Sequence, residues 1–228
     1  MPDNLDAFLR ENASSPSPLW RVQVSINDLP ALARLHPAGT GVARKVMGAS
    51  TASRKMLEEY YYKTFTFTAL YESRWCDGSF PAWYGADTPI TAAHEILHHA
   101  VMRRVDDGGK PALLNWKERR GLISSTCNAV LINLVKLVSR HKWLVCDNYS
   151  KCQKLGKYIY ERDLHGILYQ SARSVGKCAA IFRREKLSEP IFYGDIYLSC
   201  DGNNFYVCDS DGTVVVSKPV PPDLKIFS

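Results

Sequence analysis

The stretch from Ser73 to Ala100, SRWCDGSFPAWYGADTPITAAHEILHHA, decides the fold class. Cys76-Asp77-Gly78-Ser79 forms a polar turn, and the aromatic run Phe80 to Tyr84 behind it predicts a strand. Thr88 next to Pro89 predicts a helix start: the hydroxyl caps it, and the fixed φ of proline suits its first residue. Ile90, Ala93, Ile96, Leu97, Ala100 and Val101 then recur at intervals of three and four, which makes one apolar helical face. Glu95 falls at the edge of that stripe, about two turns into the helix.

Outward from this stretch, Trp20 to Val24 alternates as a first strand, and residues 36–53 are rich in Gly, Ala, Ser and Thr, as loops with a short helix are. Tyr62 to Tyr71 carries the Thr and aromatic content of a strand. From Gly121 to Leu144, Leu, Ile and Val are dense but the period does not separate helix from strand. Lys151 to Arg162 suits a helix, while Ile167 to Tyr169 and Ala179 to Phe182 read as short strands. Asp201-Gly202-Asn203 and Asp211-Gly212 are hairpin signals between Ile196–Ser199 and Val214–Val216. The sum is an α+β fold with mainly antiparallel strands and flanking helices. The breaker cluster Ser14 to Pro18 sets residues 1–19 apart as a tail or short helix, leaving 20–228 as a single domain.

At 228 residues and 46% hydrophobic, the chain can bury one substantial core. The charge of +6 helps to attract anions. No basic run is long enough to make direct nucleic-acid binding the default reading. The acidic start MPDNLDAFLRENASSPSP lacks the apolar core of a secretory signal, and the longest apolar stretch, Ala129 to Val138, is too short and polar to span a bilayer. Seven cysteines, an odd number with no CxxC pair, read as reduced thiols of a cytoplasmic protein.

Three residue types around the opening stretch can serve the same chemistry. Arg74 can meet a phosphate with its planar fork. Tyr84, ending a strand, can offer a flat ring to a heterocycle, and Glu95 can return a carboxylate over that strand end. Cleaving the bond between nicotinamide and ribose needs such parts, because its transition state resembles an oxocarbenium ion that a carboxylate stabilises. The plainer alternatives are a packed tyrosine and a solvated glutamate, and spacing alone favours those.

A second element, GILYQSARSVGKCAAIF from Gly166 to Phe182, adds Ser171 and Arg173. Arg74-Trp75, with Tyr84 ten residues on and Glu95 eleven further, together with Gly166-Ile-Leu-Tyr-Gln-Ser-Ala-Arg173 and Phe182, resembles the RES family. Its members are mostly bacterial toxins that consume NAD+. The match is best over residues 74–182. It implies an ADP-ribosyltransferase-like fold with twisted sheets and removal of nicotinamide from NAD+ by hydrolysis or phosphorolysis. NAD+ is then a substrate, with no cofactor and no metal. Arg74, Tyr84, Glu95 and Ser171 become the catalytic set, and Arg74, Tyr84, Ser171 and Arg173 the residues that hold NAD+. A helix-turn-helix antitoxin of the Xre type and a homodimer are implied as well. Residues 1–60 match nothing in the family pattern, and Ser174-Val-Gly-Lys-Cys178 varies the glycine-rich stretch that follows the serine.

Three rival readings stand beside this one. The same site could transfer ADP-ribose to a protein. The fold could be a binding module without activity. The third is a zinc protease, since His94-Glu95-Ile96-Leu97-His98 is literally H-E-x-x-H, with Glu118 twenty residues beyond as third ligand. No Gly-x-Ser-x-Gly elbow surrounds Ser171, and no Gly-x-Gly-x-x-Gly follows a strand, which disfavours hydrolase-triad and Rossmann readings.

Overall fold

The computed structural model describes residues 72–224, the strand Trp20–Ile26, and Asp6, Ala7, Leu9 and Phe65. Nine strands form one sheet in the order β4-β5-β6-β2-β1-β3-β7-β8-β9. They are β1 (Trp20–Ile26), β2 (Trp83–Ala86), β3 (Lys117–Cys127), β4 (Ile132–Asn133), β5 (Gly166–Gln170), β6 (Lys177–Ile181), β7 (Ile191–Cys200), β8 (Asn204–Cys208) and β9 (Val214–Pro219). Every pairing is antiparallel except β4 with β5. Within residues 72–224, two α-helices, α1 (Pro89–Gly108) and α2 (Ser150–Glu161), give with the sheet an α+β architecture.

Side-chain period two divides the sheet interior. Ile167 and Tyr169 of β5 and Cys178 and Ala180 of β6 join the larger core, which α1 and α2 cover with Ala93, Ile96, Leu97, Leu155 and Ile159. Leu168, Ala179, Ile181 and Trp83 point the other way, into a second cluster with Ile123 and Leu187. Because both faces of β5 and β6 are covered, Gly166–Tyr169 and Cys178–Ile181 are buried without a break rather than alternating.

The local signals explain most elements. Thr88 caps α1 through Oγ1, which accepts from the Thr91 amide at 3.1 Å, and Pro89 opens the helix. The two hairpin turns sit where the Asp-Gly signals predict them, with φ of 93° at Gly202 and 83° at Gly212, the left-handed region that favours glycine. The ambiguous Gly121–Leu144 stretch divides into most of β3, the short β4 and two 3-10 turns. Its apolar density reflects burial on a sheet and not a helical stripe.

Three expectations differ from the structure. The strand predicted over Phe80–Tyr84 begins only at Trp83. Phe80 belongs to a bend whose carbonyl accepts from Cys76 Sγ at 2.8 Å, and its ring stacks on Tyr160 at 4.5 Å. Ile90 is 55% exposed, since α1 meets the core only from Thr91 onward. Phe65 is helical where a strand was expected over Tyr62–Tyr71. The remainder of that segment, residues 36–53 and most of residues 1–19 lie outside the described residues.

α2 packs closely on the Trp75 backbone. A Cβ at Gly156 would come within 1.9 Å of the Trp75 carbonyl oxygen. Gly156→Ala is therefore expected to force α2 outward. Overpacking of this kind costs about 1–3 kcal/mol, a drop in Tm of roughly 2–12 °C for a chain this long. Gly194→Ala, where an added Cβ meets nothing within 4 Å, is the control and should barely move Tm. Equal melts for the two variants would contradict the close approach.

Candidate active site

Ser171 lies one residue past the end of β5 and keeps the parity of Ile167 and Tyr169, so it faces the helical layer. There its hydroxyl donates to Glu95 Oε1 of α1 at 2.5 Å. The same oxygen accepts from the amides of Arg173 and Ser174, each at 3.0 Å. A hydroxyl has one proton and two lone pairs. With both lone pairs taken by amides, the proton is directed at Glu95, which must present an unprotonated oxygen.

The loop that carries Ser171 is tightly closed. Ser171 donates its amide to the Gly176 carbonyl at 3.0 Å, and Gln170 Nε2 reaches the same carbonyl at 2.7 Å. A Cβ at Gly176 would sit 1.9 Å from Thr91 Oγ1, so only glycine lets the loop lie against the first turn of α1. Asp87 holds the far end: its Oδ2 accepts from the Lys177 amide at 3.0 Å, and its own amide donates to the Lys177 carbonyl at 3.0 Å.

Beneath Glu95 lie two buried groups of the sheet that pair across β5 and β6, Tyr169 and Cys178. The Cys178 thiol approaches Glu95 Oε1 at 4.0 Å. Burial, and then the charge of Glu95, pushes that thiol up, so it stays protonated and donates. Burial also raises Tyr169 well above the usual phenol range, with Cys178 and Glu95 adding to it. Glu95 is thus half-buried, with the Ser171 hydroxyl and the Cys178 thiol as neutral donors to one of its oxygens.

The Tyr169 ring meets that of Trp75, the neighbour of Arg74 in the chain, edge-on at 5.3 Å. The Tyr84 hydroxyl bonds Ser73 Oγ at 2.6 Å and accepts from the Trp75 amide at 3.1 Å. It therefore pins the turn that carries Arg74. Burial raises Tyr84 beyond the usual phenol range, so the hydroxyl stays intact. Arg74 is buried. Its Nη1 donates to the carbonyls of Leu144 at 3.2 Å and Cys146 at 2.7 Å, and its guanidinium lies 4.6 Å from the centre of the Tyr149 ring. The guanidinium also hydrogen-bonds the Cys152 thiol. Burial is the largest influence on His99 and lowers it, while Glu95 and Arg74 both act on it electrostatically, Glu95 raising it and Arg74 lowering it.

Arg173 joins the site through its amide on Ser171, while its guanidinium pairs with Asp147. Lys218 of β9 donates to the Arg173 carbonyl at 3.1 Å. Asp147, Cys178 and Lys218 escaped the sequence reading. Cys178 was legible in principle, from its parity with Ala180 on a strand beside Ser171; a loop aspartate and a lysine of the last strand carry no local signal.

The zinc reading loses its third ligand. Glu118, on β3, accepts from Trp116 Nε1 at 3.1 Å and pairs with Arg120. Among the described residues, no group of three His, Cys, Asp or Glu side chains could hold a metal ion. His94 and His98 match the spacing of H-E-x-x-H because α1 is a helix, but only a pair results. No helix among the described residues is long and apolar enough to cross a membrane.

A family model described as the RES domain matches residues 52–196, more than half of the chain. No curated protein sequence matches it. Among solved structures, a chain of the crystal structure of the M. tuberculosis MbcT–MbcA toxin–antitoxin complex is similar over 87% of this chain and 93% of its own, at 14% identity and a TM-score of 0.49.

The histidines of α1 give the site a pH signature. Burial, followed by the charge of Arg173, lowers His98 from 6.5 to about 4. Between those values the unfolded chain binds a proton that the folded chain does not, so stability falls as pH drops through this window. Denaturant titrations from pH 7 to pH 4 should show that loss. In His98→Gln the slope should be shallower, and an unchanged slope would contradict the burial of a neutral imidazole.

Proposed function

Because the chain belongs to the RES-domain family, we propose that it is a toxin-like enzyme that cleaves the nicotinamide–ribose bond of NAD+, by hydrolysis or phosphorolysis. The observation that carries the reading is the Ser171–Glu95 hydrogen bond, which holds a half-buried carboxylate in one orientation. As the carbon–nitrogen bond breaks, its electron pair leaves with neutral nicotinamide and positive charge develops on the ribose. A fixed carboxylate stabilises that charge without reorganising at the moment of reaction. Among the described residues, Glu95 Oε2 accepts no hydrogen bond and is free to meet the ribose. Water or phosphate then attacks the anomeric carbon.

In this reading Ser171 orients Glu95, and Cys178 keeps the floor of the site protonated. Arg74, together with Arg173, faces the negative end of the dinucleotide, and Tyr84 fixes the turn from which Arg74 projects. NAD+ is the substrate, and neither cofactor nor metal takes part. A cytoplasmic homodimer neutralised by an Xre-type antitoxin completes the proposal, on the strength of the family likeness.

The test is to incubate purified protein with NAD+, with and without phosphate, and to identify the products by mass. Free nicotinamide is expected, with ADP-ribose or its phosphate ester as the other product; label on a protein acceptor would favour ADP-ribose transfer instead. Glu95→Gln keeps shape and the acceptor for Ser171 but removes the charge. NAD+ loss should then slow by about a hundred- to a thousandfold. A folded Glu95→Gln protein consuming NAD+ at the parent rate would take Glu95 out of the mechanism.

A further inference from the structure

The last hairpin brings a cation to the site. On β9, Val216 is buried in the helical core, and Lys218, two residues on, keeps the same face towards α1. Its ammonium donates to the Arg173 carbonyl at 3.1 Å, and among the described residues it forms no ion pair with a carboxylate. Burial lowers Lys218, the Arg173 charge lowers it further, and only Glu95 acts in the opposite sense. The two like charges repel, and an anion held by both would relieve that repulsion.

Among the described residues Arg173 has one anionic contact, the Asp147 carboxylate, whose side chain is 72% exposed. Asp147 comes from the loop whose Leu144 and Cys146 carbonyls also engage Arg74. One segment therefore occupies both arginines of the site. A weakly held, exposed carboxylate on an otherwise buried guanidinium is easily exchanged for a stronger anion. His98, held neutral beside Arg173, Asp147 and Lys218, adds no competing charge.

We infer that Lys218 and Arg173 form a seat for the diphosphate of a dinucleotide, from which the Asp147 carboxylate is displaced on binding. The guanidinium fork takes one phosphate through paired N–H donors, and the ammonium takes the other as a point charge. The seat joins the reacting centre directly, since Arg173 also donates its amide to Ser171. The inference rests on the reading of this site as one for NAD+, and makes β9 part of substrate binding.

Calorimetric titration with inorganic pyrophosphate tests it without any turnover. The parent protein should bind pyrophosphate. Lys218→Gln should weaken binding about tenfold or more, as loss of a charge-assisted bond does, while Lys218→Arg should retain most of it. Asp147→Asn, which removes the competitor, should tighten binding several-fold. A melt at the parent temperature shows that Lys218→Gln is folded, and Lys218→Arg keeps the test decisive if it is not. No pyrophosphate binding by the parent, or equal binding by parent and Lys218→Gln, would overturn the seat, and unchanged or weaker binding by Asp147→Asn would overturn the displacement. Lys218-dependent pyrophosphate binding by a protein that leaves NAD+ intact would uphold the seat and sink the reaction.

Discussion

The structure turns on one hydrogen bond, from the Ser171 hydroxyl to the Glu95 carboxylate at 2.5 Å. It joins a helix to a loop 76 residues further along the chain, and it holds only if four separate features are in place. Thr88 must start α1 at the right residue, period two must turn Ser171 to the helical face, Gly176 must admit the loop against Thr91, and two amides must occupy the remaining lone pairs of the hydroxyl. Burying a carboxylate and a hydroxyl is costly unless each finds its partner. The site is thus a set of mutual satisfactions, and removing one leaves others unpaired.

The two cationic residues are built on a different plan. Arg74 and Arg173 are both occupied by the segment around Leu144–Tyr149, one through carbonyls and an aromatic face, the other through Asp147. Carbonyl contacts with Arg74 hold the guanidinium without neutralising it, so its charge still acts on His99 and Tyr169. The ion pair with Arg173, made to an exposed carboxylate, is weak, and the Arg173 charge still acts on His98 and Lys218. Rigid support for one arginine and an exposed partner for the other suit the proposed binding of an anion.

What the sequence made legible follows from how local each signal is. The Thr88–Pro89 start, the face of α1 from Ala93 to Val101 and the Gly202 and Gly212 turns depend on neighbours within a few residues, and they appear where expected. Gly121–Leu144 was ambiguous because a strand buried on both faces has no alternation to read. Ile90 fits the helical period but precedes the point where α1 reaches the core. In the site, Glu95 and Ser171 were named from motif and meet in space. Asp147 and Lys218 act across long separations, so nothing near them in sequence marks their role. Glu118 failed as a zinc ligand for the same reason in reverse: sequence distance placed it well, while β3 turned it to Trp116 and Arg120.

If the Ser171–Glu95 bond is the working unit of the site, the two residues cannot contribute independently. A double-mutant cycle measures this directly: NAD+ loss by Glu95→Gln, Ser171→Ala and the double variant, each checked for folding by a thermal melt. Groups that act as a unit give grossly non-additive losses. The double variant is expected to be about as slow as the slower single one. A double variant slowed by the full product of the two single effects would contradict the claim that Ser171 works by holding Glu95.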